Sequence, residues 1–259
     1  MTEREEPGRG MLRGKSVVIT GASTGIGADA ARLFAAEGAA VMLGARSGEP
    51  LAALAEELAA GGAQVGWRAV DISTADGATR LINGAVDEFG RLDGAFNNAG
   101  TTHYGKLIEV SEEEFDRVMA VNVKGVWLSM RAEFHAMVAT SEAGSIVNTT
   151  SVAGYRGSAG IGVYPASKHA VIGMTKVMAR DSGPSGIRVN TVAPGTTETP
   201  IIADWRERDP EAVLARVAQI PMGRPNTALE VARAAAWLLS DLSQPITGAV
   251  LPVDGGSSA

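Results

Sequence analysis

The stretch Ser16-Val-Val-Ile-Thr20-Gly21-Ala22-Ser23-Thr24-Gly25-Ile26-Gly27 decides the fold. Its first five residues are a short apolar run that reads as a buried strand. From Ile26 to Glu37, apolar side chains recur at Ile26, Ala30, Leu33 and Phe34, one face of a helix. Three glycines join the two. Gly21 allows a tight turn, Gly25 lets the backbone approach a pyrophosphate, and Gly27 lets the helix pack on the sheet. The helix start, with Ser23, Thr24 and Ile26 around it, offers free N–H groups and a favourable dipole to phosphates. No Lys-Ser or Lys-Thr follows the last glycine, which argues against an ATP or GTP loop. Any tight turn can use glycines; the strand before and the helix after give these their weight.

Outward from this unit the same alternation continues. Strands are expected at Ala39 to Gly44, Gln64 to Val70, Leu92 to Asn97, Ser145 to Thr149, Ile187 to Val192 and Ala249 to Val253. Helices are expected at Glu49 to Ala60, Ala75 to Phe89, Glu112 to Ala139, Ala166 to Arg180 and Leu229 to Leu239. Pro194 to Pro225 reads as loop-rich, with a helical piece around Pro210 to Val217. Such alternation predicts an α/β fold: a doubly wound parallel sheet of Rossmann type, covered by helices on both faces in a three-layer sandwich. Residues 1–13 read as a flexible, acidic lead-in and 14–259 as one domain, with a substrate lid at about 197–223 that includes Trp205 and Met222.

Composition narrows the function. The chain has no Cys, so disulfides, thiolate nucleophiles and Cys-ligated metals are excluded, and a reducing cytoplasm fits. A net charge of -6 with interspersed signs gives no grip on a nucleic-acid backbone. No apolar run is long enough for a membrane span. Three scattered histidines offer no zinc site, so no metal is expected.

The second strand ends at Gly44-Ala45-Arg46. A carboxylate there would bond the adenosine ribose of NAD and repel a 2′-phosphate. Neutral Ala45 and basic Arg46 instead favour NADP(H), with NAD(H) as the alternative and a solvated surface arginine as the plainer reading. Tyr164-Pro165-Ala166-Ser167-Lys168 places Tyr164 and Lys168 on one face of a helix start. A nearby cation stabilises a phenolate and makes tyrosine a usable acid–base group. Ser151, just past the fifth strand, can reach the same substrate oxygen. A Tyr-x-x-x-Lys pair alone is common and mostly structural.

Taken in order, Thr20-Gly21-x-x-x-Gly25-Ile26-Gly27, Asn97-Asn98-Ala99-Gly100, Asn122, Ser151, Tyr164-x-x-x-Lys168 and Pro194-Gly195 resemble the signatures of the classical short-chain dehydrogenases/reductases, over about Gly14 to Gly256. The resemblance implies hydride transfer between nicotinamide and a carbonyl or alcohol. It makes Tyr164 the general acid or base, with Lys168 lowering its pKa and holding the nicotinamide ribose, and Ser151 orienting the substrate oxygen. Asn122 would help hold a water for proton relay. Asn98, Ala99 and Gly100 would lie along the cofactor, with Asn97 tying strands together. Asp71 and Ile72 would contact adenine, and Pro194, Gly195, Thr197 and Thr199 would wrap the carboxamide. Thr197 departs from the aliphatic residue common at its position. A homo-tetramer is the expected assembly.

Other residues are more ambiguous. His103 and Tyr104 suit either the cleft or a surface loop, Tyr155 a cleft wall, and Arg156 either a substrate anion or solvent. His135 reads as structural and His169 as non-catalytic. The leading expectation is an NADP(H)-dependent oxidoreductase interconverting a ketone and a secondary alcohol. The alternatives are an NAD-dependent dehydrogenase of a polyol, sugar or cyclic alcohol, and a non-catalytic nicotinamide-binding protein.

Overall fold

Along β1 (Ser16–Thr20) successive side chains point to opposite faces, so Val17 and Ile19 enter one core and Val18 the other. In the computed structural model, which describes residues 10–259, this alternation sets the layers. The chain continues through α1 (Gly25–Ala36), β2 (Ala40–Ala45), α2 (Gly48–Ala60), β3 (Val65–Ala69), α3 (Ala75–Phe89), β4 (Gly94–Asn97), α4 (Glu112–Met119) and α5 (Val126–Thr140). It ends with β5 (Gly144–Thr149), α6 (Tyr164–Ser182), β6 (Ile187–Pro194), β7 (Thr197–Glu198), α7 (Pro200–Arg208), α8 (Pro210–Ala218), β8 (Asn226–Thr227), α9 (Ala228–Leu239) and β9 (Val250–Val253).

Seven strands form one parallel sheet in the order β3-β2-β1-β4-β5-β6-β9. Helices α1, α2 and α9 cover the face of Val17, Val41 and Phe96; α3, α5 and α6 cover that of Val18, Met42 and Ala95. Both faces of β1 are therefore dry, which is why its run is continuously apolar. The winding reverses between β1 and β4. The crevice beyond the carboxyl ends of these two strands is where a sheet of this kind takes its ligand.

The structure departs from expectation in three places. Residues 1–9 lie outside the described residues, but packing begins before Gly14. Leu12 is fully buried, and the Gly10 and Met11 amides donate to the Glu37 carboxylate at 2.8 and 2.9 Å. The region expected to be loop-rich holds its expected helical piece as α8, and also a second helix, α7, that was not expected. Each starts with a proline in its first turn, and Asp209 caps α8 by accepting from the Ala212 amide at 3.0 Å. The long helix expected over 112–139 is not continuous α-helix. Ala120–Gly125 is a π-helical turn between α4 and α5, and it carries Asn122. Among the described residues, no helix is long and apolar enough to cross a membrane, and no group of three or more His, Cys, Asp or Glu could hold a metal ion.

Candidate active site

The loop after β1 and the loop after β4 face each other across the switch point. Gly21 has φ +68°, a conformation that favours glycine, and a Cβ there would come within 2.8 Å of the Ala99 Cα. Thr20 ties the two loops together: its hydroxyl accepts from the Asn98 and Ala99 amides, both at 3.1 Å. Thr24 stands at the N-cap of α1 without a side-chain cap, so the first amides of the helix remain open to the cleft. An open helix start beside a tight glycine turn fits the pyrophosphate of a dinucleotide, and Gly21, Ser23, Thr24, Gly25 and Ile26 line the cleft there.

The same cleft runs along the carboxyl ends of the strands. It is walled by Arg46, Asp71 and Ile72 at one end, Asn98, Ala99 and Gly100 in the middle, and Ser151, Tyr164, Lys168, Pro194, Gly195, Thr197 and Thr199 at the other. The sheet thus gathers into one space residues that are up to 181 positions apart in sequence, Gly21 and Ile202. Gly27 is a correction: it does not line the cleft but sits behind it. A Cβ there would collide with the Gly21 carbonyl oxygen, so its role is close packing of α1 against the turn.

Asn122 also lies behind the wall, fully buried. Its Oδ1 accepts from the Thr101 amide at 2.8 Å, while Nδ2 donates to the Thr101 carbonyl at 2.9 Å and to Ser167 Oγ at 3.0 Å. Both amide hydrogens are used, which leaves only the second Oδ1 lone pair for a relay water. Asn97 Nδ2 donates to Asn148 Oδ1 and to Glu133 Oε2, both at 3.0 Å, and so links β4 to β5 and α5. Asp71 accepts from the Ser73 amide at 2.9 Å, and that bond holds its carboxyl below the usual range, with Arg46 adding a smaller attraction.

Tyr164 opens α6 and Lys168 follows one turn later, its Nζ donating to the Thr149 carbonyl at 2.8 Å. Electrostatics here differ from expectation. Burial raises the Tyr164 pKa, with the nearby Ser151 hydroxyl opposing it, and burial lowers Lys168 to about 8. Desolvation dominates at both groups on the floor of the cleft, where Lys168 is buried and Tyr164 half-buried.

A second cleft opens from the first. Ser151, Tyr164, Gly195, Ile201 and Ile202 belong to both, and the second continues along Tyr104, Ile161, Trp205 and Ile220. Arg156 and Trp205 line it, while Met222, His103 and Tyr155 do not. His103 Nδ1 pairs with Glu114 Oε2 at 3.2 Å, and the Tyr155 hydroxyl donates to Ser258 Oγ at 2.7 Å. His169 caps back onto the Pro165 carbonyl at 2.9 Å on the exposed side of α6, and His135 lies on a groove over α3 and α5. Sequence reading missed Arg216, Gln219 and Ser257 in this cleft. The proline and aspartate at the start of α8 were the available local signal; nothing local places the carboxyl-terminal serine.

Against known proteins, a family profile described as Enoyl-(Acyl carrier protein) reductase matches residues 21–258. An A-factor type gamma-butyrolactone 1'-reductase (1S-forming) of Streptomyces virginiae is 43% identical, covering 99% of this chain and 98% of its own. A 2,5-dichloro-2,5-cyclohexadiene-1,4-diol dehydrogenase of Sphingobium indicum is 40% identical over 96% and 98%. The crystal structure of a variant actinorhodin polyketide ketoreductase with NADPH superposes with a TM-score of 0.89 at 32% identity, covering 94% of this chain and 97% of that one. The two clefts that meet at Tyr164, and matches over nearly the whole length, place this chain in the classical short-chain dehydrogenase/reductase family of NAD(P)-dependent oxidoreductases, acting between a ketone and an alcohol.

Proposed function

We propose that the protein is an NADP(H)-dependent ketone reductase in which Tyr164 is the proton donor, Lys168 the cation behind it and Ser151 the orienting hydrogen-bond donor. One observation carries the reading: Tyr164 and Ser151 stand where the two clefts meet, so a carbonyl in the smaller cleft can face a nicotinamide in the larger. When bound, the nicotinamide supplies the hydride to the carbonyl carbon.

The chain's own residues do the rest. A tyrosine with a raised pKa is protonated at neutral pH and is ready to donate, which suits reduction. As the proton leaves, negative charge grows on the Tyr164 oxygen, and the Lys168 ammonium one turn along α6 stabilises it. Ser151 holds the substrate oxygen in line, so orientation is settled before reaction. Asn122 is a positioning residue that clamps the loop at Thr101 to α6. The cleft residues from Gly21 to Ile26 and from Asn98 to Gly100, with Asp71, Ile72 and Pro194 to Thr199, hold the cofactor, and Arg46 meets the 2′-phosphate. The segment 197–223 acts as a lid over the substrate. The enzyme is read as a cytoplasmic homo-tetramer; exposed Phe115 and Trp127 on α4 and α5 support burial against further copies.

The 40% identity to a diol dehydrogenase supports a second reading, oxidation of a cyclic alcohol with NAD. The test is NADPH oxidation across a panel of ketones by wild type and Tyr164→Phe. The variant is expected to bind NADPH within a few-fold of wild type and to lose about 10²–10⁴-fold in rate. Full activity in Tyr164→Phe would remove tyrosine from the chemistry, and oxidation of alcohols by NAD alone would favour the second reading.

A further inference from the structure

The cleft that ends at Tyr164 contains two arginines, Arg156 and Arg216, and no acidic side chain among its lining residues. Elsewhere, Arg32, Arg68, Arg91, Arg206 and Arg224 each meet a carboxylate at 2.6–2.8 Å. Arg156 and Arg216 meet none among the described residues. Arg156 Nη1 donates to the Ser257 carbonyl at 2.7 Å, which fixes the side chain without neutralising it. The Arg216 guanidinium lies 5.7 Å from the Trp205 ring centre, also neutral. Both residues are half-buried, and two influences act together against the charge on Arg216, burial first and the like charge of Arg156 second. Two partly desolvated cations facing one space without a counter-charge are unfavourable until an anion enters. Guanidinium groups suit carboxylate and phosphate oxygens, which they can bond in pairs.

We infer that the substrate carries an oxyanion, a carboxylate or a phosphate remote from its reacting carbonyl, which Arg156 and Arg216 bind together. The inference rests on reading this cleft as the substrate site. Ser158 and Gln219, which line the same space, are further donors to the anion. Arg216 belongs to α8, so the anion also joins that helix to the wall that carries Arg156. A substrate with this group would therefore fasten the lid as it binds.

The experiment is calorimetric titration of the NADP⁺-loaded enzyme, in which no ketone can be reduced. Three chain-length series serve as probes: keto acids, their methyl esters and the matching keto-alkyl phosphates. A keto acid or phosphate is expected to bind at least ten-fold more tightly than its ester, and Arg156→Gln and Arg216→Gln are each expected to reduce that preference to within about two-fold. Unchanged melting temperature and NADP⁺ affinity show that the variants are folded. A stronger phosphate series would identify phosphate as the group, and a stronger acid series carboxylate. Equal binding of acid, phosphate and ester, no binding by any of them, or a preference that survives both substitutions overturns the anion site. Turnover then separates the two ideas. Ketones reduced without anion preference leave the reductase standing and sink the arginine pair; anion preference without turnover of any ketone does the reverse.

Discussion

The Lys168 ammonium lies 5.6 Å from the centre of the Tyr164 ring. At that range it acts on the phenolate through charge and not by a direct bond, so its protonation governs how well negative charge on the tyrosine oxygen is tolerated. Burial holds Lys168 at about 8, below its ordinary value. Reduction needs the cation. The expected outcome is that kcat/KM for a ketone falls as the pH rises through about 8, whereas a profile level to pH 10 counts against this role.

Arg46 is exposed at the end of β2, lines the larger cleft, and has no carboxylate within ion-pair range among the described residues. A 2′-phosphate would find an unpaired guanidinium there. Arg46→Asp is expected to weaken NADPH binding ten-fold or more, about 1.4 kcal/mol, while NADH binding holds or improves. Fluorescence titration of both cofactors checks this, and an unchanged ratio between them removes Arg46 from cofactor choice.

How far this site could be read in advance depended on the range of the forces that build it. The strand at Ser16, the glycine turn and α1 were legible because each rests on local pattern: an apolar run, a positive φ at Gly21, and a 3.6-residue stripe through Phe34. The π-helical turn at Asn122 was not, since its single wide turn leaves the apolar period of the flanking helices almost undisturbed. Arg216 and Ser257 were hidden for another reason. They join the cleft of Tyr164 only after α8 packs against α7, and after Asp254 ties down the carboxyl terminus by accepting from the Gly256 and Ser258 amides at 3.0 and 2.9 Å. The opposing effect of burial on the Tyr164 pKa was not legible because motif spacing carries no measure of burial.

Tyr104 and Trp205 stack with centroids 6.0 Å apart and planes inclined by 29°, and the Tyr104 hydroxyl donates to the Ile201 carbonyl at 3.0 Å. These contacts hold α7 against the loop after β4. Such an aromatic pair contributes about 0.5–1.5 kcal/mol beyond its buried area. Trp205→Ala is expected to raise KM for a ketone by several-fold, leave NADPH affinity unchanged, and speed proteolytic cleavage within 200–218. If KM and the cleavage pattern both match wild type, the stack does not hold a lid.

Glu133 on α5 is fully buried, and Asn97 Nδ2 is its one side-chain partner, at 3.0 Å to Oε2; Oε1 has none. Asn148, beside it, bonds Asn97, Thr175 and the Met130 sulfur, and no cation among the described residues pairs with Glu133. Burial therefore pushes the carboxyl up from 4.5 to about 8, so it is neutral in the folded protein at pH 7. The sign of the consequence follows from proton counts. Between 4.5 and about 8 the folded state keeps a proton that the unfolded state has lost, so stability falls as the pH rises through that window. The slope is up to about 1.4 kcal/mol per pH unit. Glu133→Gln keeps an acceptor for Asn97 and cannot ionise. Its unfolding free energy by urea is expected to be level over the window, crossing above that of wild type toward pH 8, and equal slopes in the two proteins would show that Glu133 is ionised in the fold.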